Sequence, residues 1–469
     1  VTVTKMIKDP IHGAIEFEGD FENSLKGMLS DKFFQRLRRV KQLGFSDFVF
    51  PSATHSRFAH SLGVYAVAKR MLRVVEPEVR NGDWSNDGRA CLAAALLHDV
   101  GHGMFSHAFE NAAKSYHASR DEGSSEGLKD AANHEKVTSR ILTSSSIQEK
   151  LVEIGGTEFP QAVSDMIDKK DKTCIYTSIV SSQLDADRLD CAARDPYFAG
   201  VSSGRTDLNW LMRNLQVGDG PNGKFLFVDS KSYISMEQFT VTLFHLYPTI
   251  YLHKKTRGLE FLFSKLLCRI FEIVEGGQAA NAGISKSHPL ARFIQSPSDL
   301  ENALLLDDTL FWGSLHLFRD APDKTVRNIA NDFFQRKIPP MVDAWKLADE
   351  IAASSPSFTG VLAHDRVAKI EHACEVACKK VLESHDAVLK GCYHDTYTRP
   401  IYKPKFEKGD AQQINVKVGG DYLDIAAISP LVASAASFNI HRVYYDERIH
   451  NQGNELTARL QGALREALD

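Results

Sequence analysis

Apolar residues along this chain recur mostly at spacings of three and four, the period of one face of a helix, and predict a mainly α-helical protein. Phe33, Phe34, Leu37, Val40 and Leu43 mark one helix. Leu62, Ala66, Val67 and Met71 mark a second, with Ser56 or Ser61 placed to cap its start. Cys91 to His98 is apolar almost throughout and predicts a helix buried on all sides, ended by Gly101 acting as a helix stop. Leu184, Ala186, Leu189, Ala192 and Ala193 give a broader apolar face on a fourth, and Phe239 to Phe271 reads as one or two long helices interrupted near Pro248.

Between these elements the texture changes. Residues 119–133 are polar and glycine-rich, the composition of a surface loop or insertion. Residues 276–297 are weakly patterned and predict a boundary; helices return from Asp299 to Lys390, broken at Pro339-Pro340. Beyond Pro400, Ile414 to Val418 and Tyr422 to Ile425 alternate about Gly419-Gly420, which predicts a β-hairpin. The expected organisation is a core over residues 1–275, a helical region over 276–395 and a small α+β region over 396–469.

Composition narrows the function classes. Lys plus Arg number 56 and Asp plus Glu 60, a net charge of −4, so no overall basic field draws the chain to nucleic acid or an anionic membrane. No apolar stretch approaches the roughly 20 residues of a spanning helix, and Val1 to Pro10 has no signal-peptide pattern. Seven cysteines, mostly within helical segments, read as reduced thiols in a cytoplasmic protein, with the nucleus the other fitting compartment. His372, Cys374 and Cys378 scatter around a helix, a spacing that favours buried thiols over a zinc site.

The chemistry concentrates in His98-Asp99-Val100-Gly101-His102-Gly103 and on to His107. A polar pair ending an all-apolar helix must be compensated, and a divalent cation does this, since imidazole and carboxylate together suit Fe, Mn, Co, Ni or Zn. His60 and Asp187, both in helical segments, are the expected further ligands. The bare dipeptide carries no information: His364-Asp365, His385-Asp386 and His394-Asp395 also occur, and are expected on surfaces.

In the order His60, His98-Asp99, Asp187 the chain resembles the HD phosphohydrolase superfamily, whose helical bundle binds one metal through His, His-Asp and Asp. Further words resemble its dNTP triphosphohydrolase branch: Lys8-Asp9-Pro10-Ile11-His12-Gly13, Gln35-Arg36-Leu37-Arg38, Lys41-Gln42-Leu43-Gly44, His55-Ser56-Arg57-Phe58, His134-Glu135, Ala193-Arg194-Asp195 and Tyr251-Leu252-His253-Lys254. The likeness runs from Lys5 to about Leu267 and is weaker in the tail, where Ile428-Ser429-Pro430-Leu431-Val432 is similar to bacterial members.

The resemblance implies an HD-domain helical bundle that converts dNTPs to deoxynucleosides and inorganic triphosphate. It implies a divalent metal (Fe, Mn, Mg, Zn, Co or Ni) on His60, His98, Asp99 and Asp187, with Arg57 and His102 on the triphosphate and His107 and His134 as the acid/base pair. Gln42 and Asp195 match residues that hold the 3′-hydroxyl, Leu43 and Tyr251 those that close off space for a 2′-hydroxyl, and Arg188 stands where animal members have lysine. Leu252 replaces a glutamine beside Tyr251. Lys5, Lys8, Gln35 and Arg38 fall in the branch's regulatory nucleotide site, but Lys8 replaces an asparagine and Ser30 the guanine-reading aspartate, with Asp31 one place on. A serine cannot accept bidentately from guanine. A homo-oligomer, dimer or tetramer, is also implied. Two other readings use the same ligands: an HD nuclease or phosphodiesterase acting on nucleic-acid ends or modified nucleotides, and a nucleotide sensor with little catalysis. Nucleic acid is the less favoured partner; the basic run His253 to Arg257 could touch phosphates or be a solvated helix face.

Overall fold

The computed structural model describes residues 5–120, 126–202, 206–384, 387–400, 402–405, 408–434 and 438–468. Most of them are helical, as the three-and-four spacing predicts. The Asn86–Leu97 helix lies at the centre of the largest apolar cluster, and Ala90 through Leu97 are all buried. Its neighbours include Arg57–Val75, Phe159–Ile167 and Ile175–Val180. The Ala186–Ala199 helix packs in turn across Arg57–Val75.

Local chemistry sets these starts and stops. The Ser56 hydroxyl accepts from the Ala59 amide and opens Arg57–Val75; Ser61 lies buried inside that helix and caps nothing. Asp185 accepts from the Arg188 amide to open Ala186–Ala199, which ends on left-handed Gly200. Gly101 does something other than stop a helix. A Cβ there would lie 2.3 Å from the His134 carbonyl and 2.4 Å from the Thr138 amide, so glycine permits the close approach of the His134–Ser144 helix.

Other expectations are corrected by packing. Residues 126–132 of the expected loop are helical; 121–125 lie outside the described residues. Phe33 to Leu43 does not form one helix: Lys32–Arg36 gives way to a 3₁₀ turn at Leu37–Arg39. Pro248 marks the predicted interruption, where the Tyr233–Leu246 helix passes into a π-helical turn at Tyr247–Tyr251 before Lys254–Glu275.

Among the described residues, strands form three small sheets. β1 (Lys5–Asp9) and β2 (Gly13–Phe17) make a hairpin. β3 (Leu215–Gly220) and β4 (Gly223–Asp229) make another. β5 (Met341–Asp343), β6 (Tyr393–Arg399) and β9 (Phe438–Tyr444) join in the order β5-β9-β6. β7 (Asn415–Val418) and β8 (Asp421–Asp424) are the predicted hairpin, with Gly419 at positive φ in its turn. β7 then pairs in parallel with β4, so sequence-distant hairpins build one sheet.

A second apolar cluster joins His107–Ala118 to Lys254–Glu275 and the helices of 289–333, and a third joins residues 342–381 to 443–468. All seven cysteines are free. Cys374 and Cys378 are buried in the third cluster, away from the metal-capable groups found among the described residues. No described helix is long and apolar enough to cross a membrane. Tyr116 is fully buried and donates to Glu275 at 2.6 Å.

Candidate metal centre and phosphate site

His60 sits in the first turn of Arg57–Val75, and His98 and Asp99 immediately follow the end of Asn86–Leu97. His60 Nδ1 lies 2.8 Å from Asp190 Oδ2, and His98 Nδ1 lies 3.0 Å from the Ala95 carbonyl. Acceptors at both Nδ1 atoms fix the tautomers, leaving each Nε2 with a free lone pair. Both Nε2 atoms are buried and make no hydrogen bond. Asp187 Oδ1 approaches His60 Nε2 to 3.0 Å without hydrogen-bonding it, and Asp99 Oδ1 lies 3.3 Å from His98 Nε2. Ligand atoms of His60, His98 and Asp187 all fall within 4.8 Å of one another. Acceptors that converge in this way repel each other unless a cation lies between them. The donor set therefore fits a divalent metal.

A buried chain of charges supports His60. Asp190 accepts from Arg194 Nε at 2.8 Å and Nη2 at 3.0 Å, and lies 2.6 Å from His12 Nε2. Arg194 Nη1 continues to Asp9 Oδ2 at 2.9 Å. Asp9 Oδ1 in turn receives the Ile11 and His12 amides, which shapes the turn between β1 and β2. Burial opposes ionisation of Asp190, but Arg194, His12 and His60 hold its carboxyl well below the usual carboxylate range. Gly63 permits this contact, since a Cβ there would come within 2.0 Å of Asp190 Oδ1. Asp9, His12 and Arg194 lie in words that carry the resemblance but had no role there, and Asp190 lies in none of them; the i, i+4 spacing of Asp190 and Arg194 is the one local signal of this chain of charges.

Beside the metal group lies a cluster of imidazoles. The His102 and His134 rings stack with centroids 4.0 Å apart, and His107 sits about equally far from both, at 5.0 and 5.1 Å. His134 Nδ1 is 2.8 Å from Glu110 Oε2, and Lys114 Nζ is 2.6 Å from Glu110 Oε1. Burial works against it, yet His107, His134 and Lys114 hold the Glu110 carboxyl far below its ordinary range. Burial, with Arg57 and His134 nearby, pushes His102 well below the ordinary histidine range and keeps it neutral. Sequence reasoning passed over Glu110, one turn along the helix that His107 opens.

Arg57, His107 and His134 are each the first residue of a helix, and the positive ends of three helices favour an anion among them. Arg57 donates from Nε to Ser106 Oγ at 2.6 Å and from Nη1 to Asp99 Oδ2. Burial opposes ionisation of Asp99, but Arg57, His98 and His102 hold it well below the usual range.

Among the expected sugar residues, Gln42 connects to the metal group through Cys191. Gln42 reaches Cys191 Sγ at 3.7 Å, and its Oε1 is buried without a partner. Cys191, unremarked in the sequence, also lies 3.6 Å from Asp187 Oδ1. Asp195 lies 2.9 Å from His55 Nε2 and accepts from the Tyr251 hydroxyl at 2.6 Å. Leu43 and Tyr251 share a small apolar cluster with Ala53, Leu246 and Ile250. Arg188 turns away to Gln183 Oε1 at 2.9 Å.

The remaining expected residues are less open to a ligand. Gln35 donates to the Leu29 carbonyl at 2.5 Å, and Arg38 bonds Gln35 Oε1 at 3.0 Å while stacking over Phe58. Lys8 is exposed on β1; the side chain of Lys5 lies outside the described residues. Asp31 caps the Lys32–Arg36 helix and pairs with Lys150 at 2.7 Å. In the basic run, Arg257 is drawn inward to Glu260 and Asp395. Asp395 is itself buried, so His394-Asp395 is not on the surface; His364-Asp365 is, and His385-Asp386 lies outside the described residues.

The chain is similar to known proteins in sequence and in fold. The HD domain family model matches residues 57–194. The uncharacterized protein YwfO of Bacillus subtilis is 30% identical over 340 residues, covering 71% of each chain. The deoxynucleoside triphosphate triphosphohydrolase SAMHD1 homolog of Dictyostelium discoideum is 30% identical over 270 residues, which are 56% of this chain and 48% of that one. This chain thus spans about half the length of that relative. In fold, a phosphohydrolase of Bacteroides thetaiotaomicron superposes with a TM-score of 0.68 at 23% identity, covering 95% of this chain and all of the other. The chain belongs to the HD phosphohydrolase superfamily.

Proposed function

We propose that this chain is a metal-dependent triphosphohydrolase that converts dNTPs to deoxynucleosides and inorganic triphosphate. The observation that carries the reading is Asp99, whose Oδ1 faces His98 Nε2 while Oδ2 receives Arg57. One carboxylate thereby joins a metal-capable group to an arginine poised for phosphate. A divalent ion on His60, His98, Asp99 and Asp187 would supply a Lewis acid for a phosphoryl oxygen.

The chain's own residues do the rest. Arg57 presents its planar fork to the phosphates, and neutral His102 donates a hydrogen bond beside it. His134, oriented by Glu110, gives a proton to the departing 5′-oxygen as water adds to the α-phosphorus and the P–O5′ bond breaks. His107 completes the acid/base pair and takes up the proton the water releases. Gln42 Oε1, buried and unpartnered, accepts from the 3′-hydroxyl alongside Asp195, and Leu43 and Tyr251 leave no room for a 2′-hydroxyl. Arg188 would have to leave Gln183 to reach the terminal phosphate. Guanine nucleotides do not activate, because Ser30 lacks a carboxylate and Asp31 is already engaged. A homo-oligomer and a cytoplasmic location belong to this reading on the family likeness alone.

A second reading, an HD phosphodiesterase with two metals, is favoured by one observation: His102, His107 and His134 also bring ligand atoms within 4.8 Å of one another. One experiment separates the two: products from a panel of dNTPs, NTPs and single-stranded DNA, with metal counted per chain. Inorganic triphosphate with one metal supports the first; nucleotide monophosphates with two metals overturn it.

A further inference from the structure

Phe105 and Ser106 adopt φ of +51° and +57°, two consecutive non-glycine residues in the left-handed region. Ser106 has ψ of −118°, a combination that side chains disfavour. Such strain persists only where surrounding contacts enforce it. Here two anchors do so, both from residues far along the chain. Asp308 Oδ1 accepts from the Phe105 amide at 2.7 Å, and Phe311 packs edge-on against the Phe105 ring. Asp308 Oδ2 accepts from the Lys41 amide at 2.9 Å, so the buried carboxylate ties the turn to the segment carrying Gln42 and Leu43. The turn places Ser106 Oγ 2.6 Å from Arg57 Nε and begins the helix at His107.

We infer that Asp308, which opens the Asp308–Arg319 helix outside the segment matched by the family model, is a positioning residue for the phosphate end of the site. It acts through the Phe105–Ser106 turn, which sets the orientation of Arg57. The role of Arg57 in this inference rests on the triphosphohydrolase reading; the clamp on the turn does not. The helical region thus completes a site whose metal-capable residues all lie elsewhere.

The test uses the full chain with its metal and inorganic triphosphate as the probe, titrated by calorimetry. Asp308→Asn is expected to keep its metal and bind triphosphate about tenfold more weakly, the scale of one buried hydrogen bond lost. Ser106→Ala is expected to weaken binding similarly, and the double variant no further, because Asp308 acts through Ser106. Asp307→Asn, which keeps the cap but removes the charge that pairs with Arg39 and does not touch the turn, leaves binding at the parental level. Parental affinity in Asp308→Asn, additive losses in the double variant, or an equal loss in Asp307→Asn would each overturn the inference. If Asp308→Asn does not fold, Ser106→Ala decides alone, and parental affinity there overturns it. If the parental chain binds no triphosphate, the proposed function fails and amide exchange decides the inference. Faster exchange at Lys41 and Phe105 in Asp308→Asn supports the clamp; unchanged protection overturns it.

Discussion

His60 Nδ1 meets Asp190 Oδ2 at 2.8 Å, and through that contact a carboxylate that is not itself a candidate ligand aims Nε2 at the candidate metal position. Asp190 is fully buried and held by Arg194, so the ring has little freedom to turn. Asp190→Ala is expected to lower metal affinity by about 10- to 100-fold, the usual scale for losing a residue that orients a ligand. Metal titration of the stripped chain measures this. Unchanged affinity would mean the Asp190 contact serves folding alone.

His98→Ala and Asp187→Ala should each lose bound metal and hydrolysis together while remaining helical. Elemental analysis beside circular dichroism gives both readouts. A fully loaded variant would place the metal elsewhere.

His134→Ala and Glu110→Ala should keep the metal but lower kcat, by roughly 10² or more for the histidine. Glu110→Ala is expected to cost less, since it orients the acid without transferring the proton. Turnover at the parental rate in His134→Ala would make that histidine structural.

The third apolar cluster should loosen in mild acid. His394 Nε2 lies 3.2 Å from His441 Nδ1, and burial together with His441 pushes His394 from 6.5 down to about 4. The unfolded chain therefore binds a proton below about pH 6.5 that the folded chain refuses until about pH 4, so stability falls as pH drops through that window. Thermal unfolding at pH 7 and pH 5 should show a smaller drop in His394→Gln than in the parental chain. Equal drops would assign the acid sensitivity to other groups.

dATP should be hydrolysed faster than ATP, because a 2′-hydroxyl against Leu43 and Tyr251 loses its water without a partner, at about 1–3 kcal/mol. Adding GTP should leave the initial rate on dATP unchanged. Comparable rates on ATP and dATP would remove the sugar argument and favour the phosphodiesterase reading.

The sequence by itself determined what is local. The three-and-four spacing gives most of the helices, Pro248 the break, Gly419-Gly420 the hairpin turn, and the ordered words His60, His98-Asp99 and Asp187 the family. These features depend on neighbours a few residues apart, which periodicity and turn chemistry report directly. Tertiary structure alone decided the rest. Gly101 looks like a helix stop in sequence, but its missing Cβ serves the approach of a helix more than thirty residues away. β7 pairs with β4 across nearly two hundred residues, and Asp308 reaches back to Phe105 and Lys41. A carboxylate shows its residue type in the sequence but not which buried amides it will meet. That choice is made only when packing removes water and each buried donor must find an acceptor.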